Sequence, residues 1–150
     1  MQRIAGGVLV LLLAGCAPAP APQVAATPIA AGSARIWFYR AYEPSVSLNM
    51  ANVALNGVTA ASVSPYGGAL YRDVAPGRYH ITVETGGTDE NQAKDVSLSA
   101  GDEAFVKIGA LGDWESGGDM LVYRRDTFYV TLMPPQVARI EIGAHPLSGG

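Results

Sequence analysis

The sequence predicts an all-β domain, an antiparallel β-sandwich of about seven to nine strands. Short runs of β-branched and aromatic residues recur at roughly 8–12-residue spacing, and turns rich in Gly, Pro or Asn separate them. No window shows a sustained helical period of about 3.6 residues. We place this domain at residues 34–142, after a signal peptide (1–15) and a lipidated cysteine with a flexible, disordered Ala/Pro-rich linker (16–33). Residues 143–150 are predicted to form a loose tail.

The first sixteen residues have the pattern of a bacterial lipoprotein signal. Arg3 precedes an apolar run, which ends in Leu13-Ala14-Gly15-Cys16. The run matches the roughly 7–15 apolar residues of a secretory signal and is shorter than the roughly 20 of a membrane-spanning helix. The alternative is an ordinary cleaved signal that contains a cysteine by chance.

The resemblance to bacterial lipoproteins implies cleavage between Gly15 and Cys16. It also implies a diacylglyceryl group on the Cys16 sulfur and an acyl chain on the new amine. Because Ala17 follows and not aspartate, the expected location is the outer membrane, on the periplasmic side. Two or more acyl chains anchor a protein stably, and no other cofactor is expected.

Composition narrows the classes of partner. Without Arg3 the chain has nine Lys/Arg and thirteen Asp/Glu residues, a net charge of −4. An acidic chain lacks the basic surface that binds nucleic acid or anionic lipid headgroups, so membrane attachment depends on the lipid. Since Cys16 is the only cysteine, we expect no disulfide and no catalytic or metal-binding thiol.

The first half of the domain contains the clearest strand patterns. Arg35–Arg40 is aromatic and β-branched, and Asn56-Gly57 between two apolar runs is a strong hairpin signal. After the turn Ala75-Pro76-Gly77, the run Arg78–Glu84 alternates, with Tyr79, Ile81 and Val83 on one face. A loop is predicted at residues 112–119. Strands are also predicted in four later runs: Asp95–Ser99, Glu103–Gly109, Met120–Tyr123 and Thr127–Leu132. For Arg139–Ile142 we favour a strand over a short helix that enters through Pro135.

The order of these runs resembles a domain-of-unknown-function family of small bacterial lipoproteins, of the DUF2846 type. The resemblance is carried by Ala34–Arg40, by Val53-Ala54-Leu55-Asn56-Gly57 and by Tyr66–Tyr79, and it covers most of residues 34–83. It implies a transthyretin- or immunoglobulin-type sandwich. Its motifs describe turns and core positions, so they imply no particular chemistry.

The ionisable residues form no recognisable catalytic or metal-binding pattern. A zinc site needs three or four ligands, and the two histidines, His80 and His145, have no spacing that builds one. Asp113–Asp119 is acidic and Gly-rich but departs from the calcium-loop pattern, so a solvated loop is the simpler interpretation. No nucleophile elbow or Ser-x-x-Lys is present. We therefore expect neither a metal nor a catalytic residue.

The aromatic residues are the candidates for a binding surface. Trp37 and Tyr39 share one face of the first strand, and Ile36 and Phe38 share the other. One of these faces is core, so the other pair is exposed unless another element, such as the C-terminal segment, covers that face. With Trp114, an exposed pair would suit a glycan or a protein. Five arginines are candidates for an anion site: Arg35, Arg40, Arg72, Arg124 and Arg125. The commoner role of such arginines is to pair with carboxylates, here such as Asp73 and Asp126.

The leading hypothesis is a non-enzymatic, lipid-anchored sandwich that contacts an unknown protein of the cell envelope. The alternative is a glycan- or peptidoglycan-binding module that uses Trp37, Tyr39 or Trp114. A hydrolase is the third hypothesis, and it lacks a residue to carry it.

Overall fold

The computed structural model describes residues 26–43, 46–84, 91–116 and 122–144, with the backbone alone at 113–116 and 122–125. The signal peptide, Cys16 and the first part of the predicted linker lie outside these residues. The described ranges contain eight strands and one helix: β1 (Ala34–Arg40), β2 (Ala51–Leu55), β3 (Val58–Val63), β4 (Gly68–Val74), β5 (Gly77–Val83), β6 (Ala93–Leu98), β7 (Glu103–Ser116), β8 (Val122–Leu132) and α1 (Pro135–Gly143).

The strands form two four-stranded sheets that pack face to face. Sheet A has the order β4-β1-β7-β8, and sheet B has the order β3-β2-β5-β6. This confirms the predicted β-sandwich. One pair departs from the antiparallel expectation, because β1 and β7 run parallel at the centre of sheet A. Parallel neighbours need a long crossover, and the chain between β1 and β7 supplies it by building β4 and all of sheet B.

The two predicted turns have the expected places. Asn56 and Gly57 join β2 to β3 with φ angles of 50° and 81°, as a type I′ turn requires. Ala75 and Pro76 lead from β4 in sheet A to β5 in sheet B. The alternation predicted for β5 is also confirmed, since Ile81 and Val83 are buried and Tyr79 packs against the same core.

The main core lies between the sheets. It takes one face of every strand, and side chains such as Ile36, Phe38, Val53 and Val106 are fully buried there. Alternate residues of β1 face the other way, so its burial extends over all seven positions. A strand that reads as a continuous apolar and aromatic run is typical of a strand covered on both faces.

Helix α1 covers the outer face of sheet A, and here the prediction of a strand at Arg139–Ile142 was wrong. Ala138 and Ile142 are buried against Trp37, Tyr39 and Phe105 in a second, smaller core. Pro at the first helical position supplies the fixed φ with which a helix begins. The segment instead forms the alternative structure, a short helix that begins at Pro135.

The β7–β8 hairpin is longer than the sequence predicted. The loop expected at residues 112–119 is strand through Ser116, and the runs Met120–Tyr123 and Thr127–Leu132 belong in large part to one strand. The register pairs Val106 with Leu132 and continues to Ser116 with Val122. Because these ladder bonds satisfy both backbones, the glycines in β7 do not end the strand.

The sandwich has two distinct ends. The start of β1 with Ser33, the Asn56-Gly57 turn and the 99–102 turn lie at one, which we call the N-terminal end. The β1–β2 and β3–β4 connections lie at the other, together with the part of the β7–β8 hairpin that extends past β1. We call this the loop end. No helix in the described part of the chain is long and apolar enough to cross a membrane.

Candidate functional site

The predicted aromatic pair lies beneath α1 and is not exposed. Trp37 is 5% and Tyr39 1% accessible. The Trp37 indole Nε1 donates to Glu103 at 2.9 Å, and the Tyr39 hydroxyl donates to Glu141 of α1 at 2.8 Å. The C-terminal segment therefore covers this face, which was the alternative to exposure. A glycan surface built on these two rings is not available in the folded domain.

The contacts of Tyr39 are structural. Burial and the hydrogen bond to Glu141 raise the pKa of the Tyr39 phenol well above its ordinary value, so the hydroxyl stays protonated and remains a donor. Lys107 donates to the other oxygen of Glu141 at 3.0 Å. Arg139 of α1 pairs with Glu103, next to the indole of Trp37. These polar bonds fasten the helix to the sheet.

The arginines do not gather into one patch. Arg35 makes a bidentate ion pair with Asp73 at 2.6 and 2.9 Å. This is the pairing with a carboxylate that we gave as the commoner role of these arginines. Arg72 donates to the backbone carbonyls of Ala60 and Tyr71. Arg40 is at the opposite end of β1 from Arg35. The side chains of Arg124 and Arg125 lie outside the described residues.

The remaining ionisable candidates give no composite site among the described residues. His80 and Asp95 form an exposed cross-strand pair at 2.9 Å on sheet B, while His145 lies outside the described part of the chain. Within that part, no three His, Cys, Asp or Glu side chains lie close enough to hold a metal ion. Residues 113–116 belong to β7, and their side chains are not described.

Four exposed apolar side chains lie on the two connections at the loop end. Tyr42, Leu48 and Met50 belong to the β1–β2 connection, and Tyr66 belongs to the β3–β4 connection. The rings of Tyr42 and Tyr66 approach to 6.2 Å between centroids, inclined by 34°. We call these four residues the loop-end surface. They are the largest set of exposed apolar side chains on neighbouring connections that the described residues provide.

A buried polar network holds the β1–β2 connection in place. The Arg40 guanidinium donates to the backbone carbonyls of Ser47 and Asn49, at 3.1 and 2.9 Å. Asp126 of β8 accepts from the Ser47 hydroxyl at 2.5 Å and from the Asn49 side-chain amide at 2.6 Å. Leu48 lies between the two anchored residues. Its exposed side chain is therefore carried by a fixed backbone.

Arg40 provides this support from inside the core. Its guanidinium carbon lies 5.2 Å from the ring centroid of Phe128. Burial lowers the pKa of Arg40, and the nearby charges of Glu43 and Asp126 oppose that effect. A buried cation is tolerated when hydrogen-bond acceptors surround it, and the two loop carbonyls are those acceptors.

Tyr66 is positioned by its own connection. Its backbone N–H donates to the Ser64 hydroxyl at 3.2 Å. Gly67 follows with a φ of +82°, and a Cβ there would lie 3.1 Å from the backbone nitrogen of Tyr42. Glycine therefore allows the two connections to approach closely enough for the two tyrosines to meet.

The β7–β8 ribbon extends beside this surface. Its paired residues continue from Gly109 opposite Tyr129 to Ser116 opposite Val122, beyond the last residue that pairs with β1. Trp114 is opposite Arg124 in that extension. The backbone thus places the third predicted aromatic residue at the loop end, although its side chain is not described.

The loop-end surface was not predicted from the sequence. Tyr42, Leu48, Met50 and Tyr66 occur singly among Ser, Pro, Asn and Gly, where apolar residues carry no period. The available signal was their presence in segments that otherwise have turn composition, because such segments run over the surface.

Comparison with known proteins adds no assignment. A search against protein-family models gives no match to this chain, and neither does a search of curated proteins.

Proposed function

We propose that this chain is a non-enzymatic lipoprotein of the bacterial outer membrane that faces the periplasm and binds an envelope protein through its loop-end surface. The observation that carries the proposal is the exposure of Tyr42, Leu48, Met50 and Tyr66 at the loop end, where buried polar contacts hold residues 47–49 of the β1–β2 connection. Exposed apolar groups on a rigid framework are characteristic of binding surfaces.

The composition of the surface favours a protein as the partner. Tyrosine and methionine are enriched at protein interfaces, and tyrosine is prominent among residues that dominate binding energy. Methionine also adapts its shape to a partner because it has several rotatable bonds and a polarisable sulfur. Glu43, Glu84 and Asp126 lie around the same end, as an interface with a polar rim would require.

The buried ionisable side chains support a role without catalysis. Arg35, Arg40 and Tyr39 each bond to groups that position a strand, a loop or a helix. Perturbed groups in an active site would instead face a cleft. The lipobox ending at Cys16 supports the anchor. β1, which follows the anchor segment, begins at the end of the sandwich opposite the loop-end surface.

Position-specific crosslinking in intact cells tests the binding surface. A photoreactive amino acid replaces Tyr66, which is 73% exposed, or Val58, which is 72% exposed at the N-terminal end. We expect one reproducible protein adduct from position 66 and none of that mass from position 58. Equal adducts from both positions, or none from position 66 at saturating photolysis, would contradict the proposal.

A second test separates surface chemistry from accessibility. Leu48→Ser in the chain that carries the photoreactive group at position 66 should reduce the adduct several-fold, because it removes an apolar contact that the partner covers. Val58→Ser provides the matched control at the N-terminal end and should leave the adduct unchanged. Equal adduct yields in the two variants would show that Leu48 is no part of the interface.

The anchor requires its own experiment. Cys16→Ser should abolish labelling by a radioactive or alkyne-tagged fatty acid and should release the protein from sedimented membranes. Continued membrane association of that variant would contradict the lipobox interpretation, whatever the result of crosslinking.

A further inference from the structure

The segment just before β1 is bound to the outer face of sheet A, although the sequence predicted a flexible linker there. Ala26 packs against the small core that contains Trp37 and Tyr71. The backbone carbonyl of Thr27 accepts a hydrogen bond from Arg35 at 2.6 Å, and the Thr27 hydroxyl lies 2.7 Å from that of Tyr71. The outer face is thus covered by both terminal segments: α1, and the residues that lead into β1.

Arg35 is the centre of this contact. It is 1% exposed, and its guanidinium carbon lies 3.9 Å from the ring centroid of Tyr71. Two of its nitrogens bond to the two oxygens of Asp73, and the third nitrogen bonds to the Thr27 carbonyl. If residue 27 left the surface, that third nitrogen would lose its acceptor. A buried charged group resists such a loss.

Asp73 adds a second fixed point. Besides pairing with Arg35, its carboxylate lies near the backbone N–H of Ala30, which contributes to lowering the pKa of Asp73. Ser33 then bonds through its carbonyl to the N–H of Gly101, at 2.8 Å. The contacts at residues 26, 27, 30 and 33 follow one another along the segment, so the whole stretch is attached.

We propose that residues 26–33 form a clasp, closed by Arg35 and Asp73, that sets how far the domain stands from its membrane anchor. The clasp rests on the contacts above, and its effect on reach also rests on the proposed lipid at Cys16. With the clasp closed, the chain between Cys16 and the clasp is residues 17–25, which can span at most about 28 Å; with it open, residues 17–33 can span at most about 53 Å.

The consequence is an oriented domain. With the clasp closed, the tether joins the domain at Ala26, beside Trp37 on the outer face of sheet A; with the clasp open, it joins at the start of β1, at the N-terminal end. A binding surface presented at a fixed height searches a smaller volume than one on a long flexible tether, so its effective concentration toward a partner in the envelope is higher.

Hydrogen exchange tests the clasp without reference to the membrane. The purified full chain in detergent is compared with Asp73→Asn and with Asp95→Asn, a matched change at an exposed carboxylate on sheet B. In Asp73→Asn we expect the amide of Ser33, which donates to the Ala30 carbonyl at 3.0 Å, to exchange several-fold faster, because the segment is no longer held by the Arg35–Asp73 ion pair. A free-peptide exchange rate at Ser33 in the unsubstituted chain would overturn the proposal.

A milder variant guards against global unfolding. Tyr71→Phe removes only the hydroxyl that meets Thr27, and the β-sandwich itself does not depend on that bond. We expect faster exchange in the same segment, by a smaller factor than in Asp73→Asn, with unchanged exchange in β5. Equal acceleration in β5 and in residues 26–33 would show general loosening and would contradict a local clasp.

Energy transfer to the bilayer tests the reach. A fluorophore at Val58→Cys, on the N-terminal end, reports transfer to acceptor lipids in vesicles of phosphatidylethanolamine and phosphatidylglycerol. Opening the clasp with Asp73→Asn should lower the transfer efficiency, and Asp95→Asn should not. Equal efficiencies in the two variants would overturn the effect on reach. A chain that fails to float with the vesicles contradicts the anchor, while protected amides at residues 26–33 would still support the clasp.

Discussion

Arg35 and Arg40 show how position along one strand determines what an arginine does. They lie near opposite ends of β1 and, five residues apart, on opposite faces of it. Arg35 faces outward, where the hydrogen bonds and charge of Asp73 raise its pKa against the effect of burial. Arg40 faces the core, where burial lowers its pKa. One residue type thus fastens the N-terminal segment at one end and the loop-end surface at the other.

The Arg35–Asp73 pair predicts a specific dependence of stability on pH. Hydrogen bonding to Arg35 lowers the pKa of Asp73 in the folded chain. A carboxyl with a depressed pKa stabilises the fold fully above its unfolded value of about 4 and loses that contribution as the pH falls through the folded pKa. The destabilisation caused by Asp73→Asn should therefore be greatest above about pH 5 and shrink below about pH 3.

Urea unfolding of both chains at several pH values measures this difference. Asp95→Asn serves as the control, because Asp95 is exposed and its pair with His80 is worth little at any pH. A difference between wild type and Asp73→Asn that stays constant from neutral to strongly acidic pH would contradict the assignment.

At the scale of the element, the turn between β2 and β3 was predictable because its chemistry is local. Asn and Gly tolerate positive φ, and both residues of the turn have it. Helix α1 was harder, since apolar residues at 138, 140 and 142 also satisfy the alternation of a strand. The helix buries Ala138 and Ile142, four residues apart, and leaves Ile140 exposed. The strand and the helix differ in whether residue 140 is buried, and that is decided by how the segment packs on the outer face of sheet A.

The turn provides a matched pair of substitutions. A Cβ at Gly57 or at Gly77 meets no atom within 4 Å, but only Gly57 has a positive φ. Gly57→Ala should destabilise the protein by about 1–2 kcal/mol because alanine is strained in the left-handed region. Gly77→Ala should be neutral or stabilising by up to about 1 kcal/mol, because it restricts the unfolded chain. Thermal unfolding of both variants checks the prediction, and equal shifts in Tm would contradict it.

Helix α1 provides another pair. Ile142 is 3% exposed and Ile140 is 65% exposed, two residues apart on the same helix. Ile142→Ala should reduce the free energy of unfolding by about 2–5 kcal/mol, since it opens a cavity beside Trp37 and Tyr39. Ile140→Ala should change it by no more than about 0.5 kcal/mol. Equal effects in urea unfolding would mean that this segment does not pack as a helix on sheet A.

For the whole molecule, the decisive feature is that sheet A has a core on each of its faces. The larger core faces sheet B, and the smaller one lies under α1 and the clasp. Both cores share β1, whose alternate side chains enter one or the other. The same strand therefore couples the sandwich to the two terminal segments.

The two cores are far enough apart for their energies to add. Ile81 lies in the larger core on sheet B, and Ile142 lies in the smaller core under α1. Each change to valine should cost about 0.5–1.5 kcal/mol. The double variant should lose the sum to within about 0.5 kcal/mol. A coupling energy above about 1 kcal/mol in chemical denaturation would show that the sites share contacts through β1.

The sequence by itself determined the fold class, the principal turns and the alternation of β5, because these depend on neighbours a few residues apart. The tertiary structure decided which aromatic residues are available. Trp37 and Tyr39 are covered by a helix about a hundred residues later in the chain, and Arg35 holds a segment that looked like linker. Tyr42 and Tyr66 meet because two connections converge at one end of the sandwich. Burial and convergence depend on contacts between distant residues, and local patterns carry little information about them.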